Sequence, residues 1–530
     1  MSSATLDAPA PLAAWKPKHN PWAVAMVVTL ATFMEVLDTS IANVALPHIA
    51  GNLSAGVDES TWVLSSYLVA NAVVLPISAW LATRFGRKRF YMTCVALFGV
   101  SSFLCGLAPT LSMLVFFRVL QGLGGGGLAP SEQAILADTF PPAKRGMAFA
   151  IYGMAVVVAP AIGPTLGGYI TDNFDWRWIF FINVPVAVIS LLLSSRMVED
   201  PPHLKTMREK AGGIDYMGLG LIAIGVGAVQ VVLDKGERSD WFSSNFILFF
   251  TILAVVCIVT ALIWEFRHEH PVIDIRMFQN RNFSVSCVMM FMLGAALFAA
   301  TVLLPQLVQT LMGYTAEQAG MVLSPGAVVV IILLPLVGRL ISRIDARYLI
   351  AFGFLVSALG LYHLTGINLG IDFGSMVMMR VYQIAGIAFL FVPIQTMSYA
   401  GVPVEKNNNV SGMTNLARNM GGSLGISAAE TLLSRRAQVH QSVLVAHATQ
   451  FDPAFQSAIS GITNTFTARG YDHATAIQTA YGNVYGMIQM HASMLAYLDA
   501  FEVFAFVCVL VVPLAFLMTK SKPGTAHAGH

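Results

Sequence analysis

The amino-acid sequence predicts an all-α polytopic membrane protein that crosses the bilayer fourteen times, and three observations predict it. Hydrophobic residues make up 56% of the 530 and charged residues 11%, where soluble domains hold about 45–50% and about 25%. Apolar stretches of the ~20 residues that a spanning helix needs recur fourteen times, use over half the chain and leave little for a soluble catalytic domain. Lys and Arg alternate with the spans: with the N-terminus inside, 21 of the 30 fall in inner loops and tails, six in outer loops, and Arg118, Arg380 and Arg418 within spans. Cytoplasmic loops collect positive charge, so miscounting one span would scramble this asymmetry downstream. The net charge of +2 carries no signal for nucleic acid.

Taken in order, the first span (22–47) follows a polar tail over 1–20, and its apolar run is too long and too acidic for a cleaved signal peptide. The second (60–82) is stopped by Arg84-Phe85-Gly86-Arg87-Lys88-Arg89. The third (90–108) and fourth (112–136) follow; the fourth carries Arg118 and the glycines 124–127, whose missing side chains permit close helix approach. In the fifth (147–170), Pro160 and Pro164 remove backbone donors while Gly163, Gly167 and Gly168 allow a tight seam. Bend and seam together predict a hinge against a neighbouring bundle. The sixth (178–197) ends at Arg196; the seventh (214–234) and eighth (245–266) follow a basic inner loop. An amphipathic stretch from His270 to Asn282 is expected to lie along the membrane surface before the ninth span (283–310). The tenth to fourteenth are 317–338, 348–366, 374–397, 408–434 and 497–519. Between the last two lies the one large hydrophilic insertion, 437–494, whose Val439, Val443, Phe451, Phe455 and Ile459 predict helical pieces with an apolar face, either to lid the outer cavity or to dock a partner.

The chain repeats itself. Val44-Ala45-Leu46-Pro47 returns as Val302-Leu303-Leu304-Pro305, the basic run returns loosely as Gly338-Arg339 with Arg343 to Arg347, and Arg118-Val119-Leu120-Gln121 returns as Arg380-Val381-Tyr382-Gln383. The near-constant offset makes spans 1–6 and 9–14 equivalent six-helix bundles and spans 7–8 an inserted pair. The organisation expected is therefore an N-terminal tail (1–20), a first bundle (21–197), a loop (198–213), the inserted pair (214–266), an amphipathic stretch (267–282), a second bundle (283–519) with an external loop (437–495), and a tail (520–530).

Two carboxylates, Glu35 and Asp38, stand inside the first span. A charge at that depth costs roughly 2.5–3.5 kcal/mol on insertion scales, so such acids face a protein interior and mark ion or substrate paths. Their i, i+3 spacing puts both on one face, and two acids so close repel when both are ionised, which favours binding a proton. The repeat pairs them with Leu293 and Ala296, so the acids belong to the first bundle alone. Asp38 and Arg118 lie at similar depth, about 13 and 9 Å from the outer ends at 1.5 Å per residue, and are expected to meet. An ion pair that protonation breaks has the two discrete states that switching requires. Glu35 is expected either to attract cationic substrate or to bind a second proton. Arg418, near mid-span, must face the interior, toward anionic substrate or Glu430. Asn43, Tyr67, Gln121 and Asn415 are polar groups on apolar spans and candidate cavity lining. Asp138, ending the fourth span, is the candidate partner of Arg84 or Arg87 around the turn at Gly86, which makes these four gating candidates.

Gly421-x-Ser423-x-Gly425 matches a hydrolase elbow only as a string, since it lacks the strand–turn–helix context, and no G-x-x-x-x-G-K-[ST] occurs to cradle ATP phosphates. The five cysteines all sit in apolar spans without metal-like spacing and read as small buried hydrophobes.

Leu37-Asp38-Thr39-Ser40-Ile41-Ala42-Asn43-Val44-Ala45-Leu46-Pro47 resembles the first-span signature of the fourteen-span drug:proton antiporters of the major facilitator superfamily. Arg118-Val119-Leu120-Gln121-Gly122 is similar to that superfamily's fourth-span motif, and Ala159 to Gly168 to its antiporter motif; Trp176 to Pro185 and Asn415 to Gly425 resemble the fourteen-span subgroup. The resemblance covers about residues 20–520. It implies a proton-coupled drug exporter of the bacterial inner membrane with both termini cytoplasmic, no enzyme activity and no cofactor beyond the proton motive force. It also implies a periplasmic membrane-fusion adaptor leading to an outer-membrane channel, with Asp38 in coupling; the residues themselves add Arg118 as its partner and Glu35 as an assisting acid. Glu35 departs from the expected neutral residue. The alternative left open is a proton-coupled carrier of one physiological solute.

Overall fold

The computed structural model describes residues 17–202, 204, 215–268 and 271–520. Most of the N-terminal tail expected over 1–20, most of the loop over 198–213, the start of the stretch from His270, and all but one residue of the C-terminal tail lie outside the described residues.

The first bundle comprises α1 (Pro21–Asn52), α2 (Trp62–Phe85), α3 (Arg87–Leu107), α4 (Leu111–Thr139), α5 (Pro142–Asn173) and α6 (Trp178–Met197). The inserted pair is α7 (Tyr216–Lys235) and α8 (Asn245–Arg267). The second bundle holds α9 (Arg281–Thr310), α10 (Ala316–Leu340), α11 (Ala346–His363), α12 (Phe373–Ser398), α13 (Asn407–His447) and α15 (His473–Ala515), with α14 (Pro453–Ala468) between the last two. Side chains of the preceding residues start many of them: Asn20 accepts from Trp22 N, Asn280 from Phe283 N and Asp472 from Thr475 N, each satisfying a donor the helix itself leaves free.

Thirteen helices among the described residues are long and apolar enough to cross a membrane. The thirteenth span expected, 408–434, lies within α13, which is helical but too polar to qualify by composition. It is shielded from lipid by packing along α9 at glycine contacts: a Cβ on Gly421 would meet the Phe291 carbonyl, and one on Gly425 the Ala295 backbone. A second difference concerns the external loop. α13 runs 41 residues and α15 runs 43, about 60 Å each at 1.5 Å per residue, so the last two spans continue outward as helical stalks. Arg436 Nε (2.5 Å) and His440 Nε2 (2.7 Å) meet Asp499 between the stalks, and α14 packs on α15. The amphipathic stretch before α9 contains a 3₁₀ segment, Ile275–Gln279.

The bundles meet along α5 and α10, and along α13 with α2 and α4. The run in α5 forms two seams. Gly163 and Gly167 press on Ser40 and Ile41 of α1, while Thr165 meets Gly320 of α10; Ser40 Oγ donates to the carbonyl of Pro160, 3.2 Å away. Pro164 is half-buried and Gly168 buried in the same helix. The inserted pair bridges both bundles through α7: Lys235 Nζ donates to Thr61 Oγ1 (2.5 Å), Ser65 donates to Asp234, and Gln230 exchanges hydrogen bonds with Ser423 (2.9 and 3.1 Å). α8 is only 22% buried over its apolar window, as suits a lipid-facing helix.

Candidate functional site

The glycine run of α4 determines where the charges lie. A Cβ on Gly122 would strike the Tyr67 carbonyl and one on Gly124 the backbone of Phe98, so α4 rests directly on α2 and α3. This approach carries Arg118 and Gln121 into the bundle beside α1. Asp38 is 2% exposed and Arg118 0%. Arg118 Nη1 donates to Asp38 Oδ2 at 2.6 Å, while Oδ1 accepts from Asn183 (2.6 Å) and Gln121 (3.0 Å). Arg118 also donates from Nε to Val63 O (3.0 Å) and from Nη1 to Gln121 Oε1 (2.8 Å), and it sits 4.4 Å over the Tyr67 ring. Such a network is costly to desolvate, and replacing a buried ion pair by apolar side chains is often neutral or stabilising. Packing alone does not account for it.

The repeat partner reproduces half of this geometry. Arg380 donates to Gln383, as Arg118 does to Gln121, but Ala296 stands where Asp38 would be.

One helical turn from Asp38, Glu35 begins a second cluster. Its Oε1 accepts from Tyr67 Oη (3.2 Å) and Asn71 Nδ2 (3.1 Å), and Asn419 of α13 donates to Asn71 Oδ1 (3.3 Å). The positive charge acting on Glu35 is Arg418, across the bundle interface. The charge of Arg418 therefore acts on Glu35 and Tyr152, whereas the cation that acts on Glu430 is Arg238. Asn415, one turn before it, donates to Gln133 Oε1 (2.8 Å), which also accepts from Gln395 of α12 (2.7 Å). Five helices, α1, α2, α4, α12 and α13, thus converge through side-chain amides and acids at the centre.

The candidate lining residues divide. Tyr67 belongs to the Glu35 cluster, Gln121 to the Asp38 network and Asn415 to the amide network, while Asn43 is exposed and joins none of them. Glu132, which sequence reasoning passed over, lies fully buried beside Glu35 and accepts from Thr32. The signal was available as an acid inside an apolar span.

At the end of the molecule that carries the basic loops, Arg87 pairs with Asp138, and Asn407 Nδ2 of the second bundle donates to Asp138 Oδ1 at 2.6 Å. Gly86 turns the chain there at φ +92°, and Asp200 Oδ1 accepts from Lys88 N at 2.8 Å. Asp138 meets Arg87 rather than Arg84.

Comparison with known proteins agrees with this architecture. Residues 28–426 match the model of the Major Facilitator Superfamily. The chain is 39% identical over 448 residues to the multidrug export protein EmrB of Escherichia coli strain K12, covering 84% of this chain and 87% of the relative. It is 40% identical over 465 residues to the probable multidrug resistance protein EmrY of the same strain, covering 86% and 87%. Among solved structures, the proton:xylose symporter XylE superposes with a TM-score of 0.62 at 14% identity, covering 95% of this chain and 97% of that one.

Proposed function

The chain belongs to the Major Facilitator Superfamily, and on that premise we propose that it is a proton-coupled exporter of hydrophobic or amphipathic drugs. It is a transporter rather than an enzyme, and the matched relatives are multidrug exporters. The observation that carries the reading is the enclosed Asp38, whose charge is shared by a guanidinium and two amides. Protonation removes that charge and with it the attraction for Arg118, which keeps its bonds to Val63 O and Gln121. Loss of the pair frees α1 to shift relative to α4 and α6. α5 packs on both α1 and α10, so its seams transmit the shift to the second bundle. Alternating access then opens one end as the other closes, with the Asp138–Asn407 contact holding the basic end shut. The proton motive force supplies about 2.3 kcal/mol per charge per 100 mV, without a cofactor.

Substrate occupies the centre between Glu35, Tyr67, Asn71 and Arg418. The basic end faces the cytoplasm, and both termini lie there. The stalks of α13 and α15 then project outward, and α14 rests on α15 rather than across the bundle mouth. That placement favours docking of a periplasmic adaptor over a lid.

Counterflow in proteoliposomes with an imposed pH gradient, scanning drugs of different charge, tests the proposal. Gradient-dependent flux of chemically unrelated drugs is expected. Flux of a single solute class would favour the physiological carrier, and flux indifferent to the gradient would refute coupling.

A further inference from the structure

Glu132 takes no part in the mechanism above, yet it is 0% exposed and its Oε1 has no hydrogen-bond partner. Its Oε2 accepts from Thr32, one turn before Glu35 on α1. The charges of this compartment do not balance. Asp38 pairs with Arg118 and the charge of Arg418 acts on Glu35 from across the interface, whereas no cation among the described residues pairs with or acts on Glu132. Three carboxylates against two guanidiniums leave one negative charge unmatched. The titratable groups bearing on Glu132 are Glu35 from α1, Tyr91 from α3 and Tyr152 from α5, none of them a cation, while Arg418 of α13 acts on Glu35 and Tyr152. A carboxylate in an apolar interior without a counter-charge either keeps a proton or recruits another cation.

The neighbouring residue shows how the site opens. Gln133 is bonded across the bundle interface to Asn415 and Gln395, so parting the bundles breaks the seal beside Glu132. Tyr91 and Tyr152, both fully buried, lie within electrostatic reach of Glu132, and aromatic rings attract onium groups.

We propose that Glu132 is an exchange site for one positive charge, holding a proton when empty and giving that proton up to water when the onium head of a singly charged amphipathic substrate takes its place. The carboxyl O–H breaks, the proton leaves to water on the side from which the cation enters, and the compartment keeps its charge. This rests on the drug–proton exchange proposed above and names the substrate class that exchange serves.

The test uses full-length protein in nanodiscs, with tetraphenylphosphonium as the cation and N-phenyl-1-naphthylamine as a neutral probe. Cation binding in weak buffer should release a proton. Glu132→Gln should weaken the cation by roughly tenfold or more and abolish the release, with the neutral probe unaffected. Glu132→Asp, which keeps the charge, should restore both. Wild-type cation affinity and proton release in Glu132→Gln, or no cation binding by wild type, would overturn the proposal. So would loss of both probes in Glu132→Gln together with failure of Glu132→Asp to restore the cation. If the binding results hold but a pH gradient drives neither probe into wild-type proteoliposomes, the transport reading fails and the site stands.

Discussion

Asn407→Ala removes a single hydrogen bond that joins the two bundles at the basic end. Its amide donates to Asp138 at 2.6 Å, and Asn407 is 1% exposed. A hydrogen bond to a charged group contributes about 1.5–3 kcal/mol. Asp138 keeps Arg87 as a partner, so the first bundle is not left with an unpaired charge. The loss therefore falls on the closed arrangement of the two bundles, and at 1.4 kcal/mol per decade it shifts the population toward an open basic end by about 10- to 150-fold. Spin labels at Arg89 and Tyr348, exposed positions at the basic ends of α3 and α11, report the separation by double electron–electron resonance. A longer distance should appear in the variant. Asn173→Ala, which removes an exposed bond to Tyr169 O within one helix, is the control. An unchanged distance distribution, or an equal shift in the control, would refute the assignment of Asn407 as a pin between bundles.

Glu35→Gln keeps the bonds from Tyr67 and Asn71 but removes the charge facing Arg418; binding of cationic drugs should weaken while neutral ones are spared, and equal loss of gradient-driven transport for both would instead make Glu35 a coupling acid. Replacing residues 450–471 by a short Gly/Ser linker removes α14. Transport in proteoliposomes should persist while copurification of a membrane-fusion adaptor is lost, and loss of transport would identify α14 as a lid.

Elements that rest on local pattern were legible in the sequence. Apolar length placed the spans, and the shared depth of Asp38 and Arg118 anticipated their contact. Asp138 met one of its two expected partners, Arg87. What escaped depends on contacts between residues far apart in the chain. The charge of Arg418 acts on Glu35 only because α13 packs across the interface, 383 positions later, and no periodicity encodes that encounter. α13 itself was read as 408–434 because apolar composition stops there, although Arg435 and His440 continue the helix in water. Glu132 stood inside the expected fourth span and was passed over, and its partner Thr32 lies 100 positions earlier, which no local pattern connects to it. Asn43 misled in the opposite sense, as a polar residue on an apolar span that turns out exposed.

The central claim is that protonation of Asp38 couples the gradient to export. Asp38→Asn mimics the neutral acid and can still accept from Asn183 or Gln121 through its carbonyl oxygen. Measured in proteoliposomes, this variant should bind drug and exchange it between equal pools at both faces, while losing accumulation driven by an imposed pH gradient. Gradient-driven accumulation at the wild-type level would contradict the account.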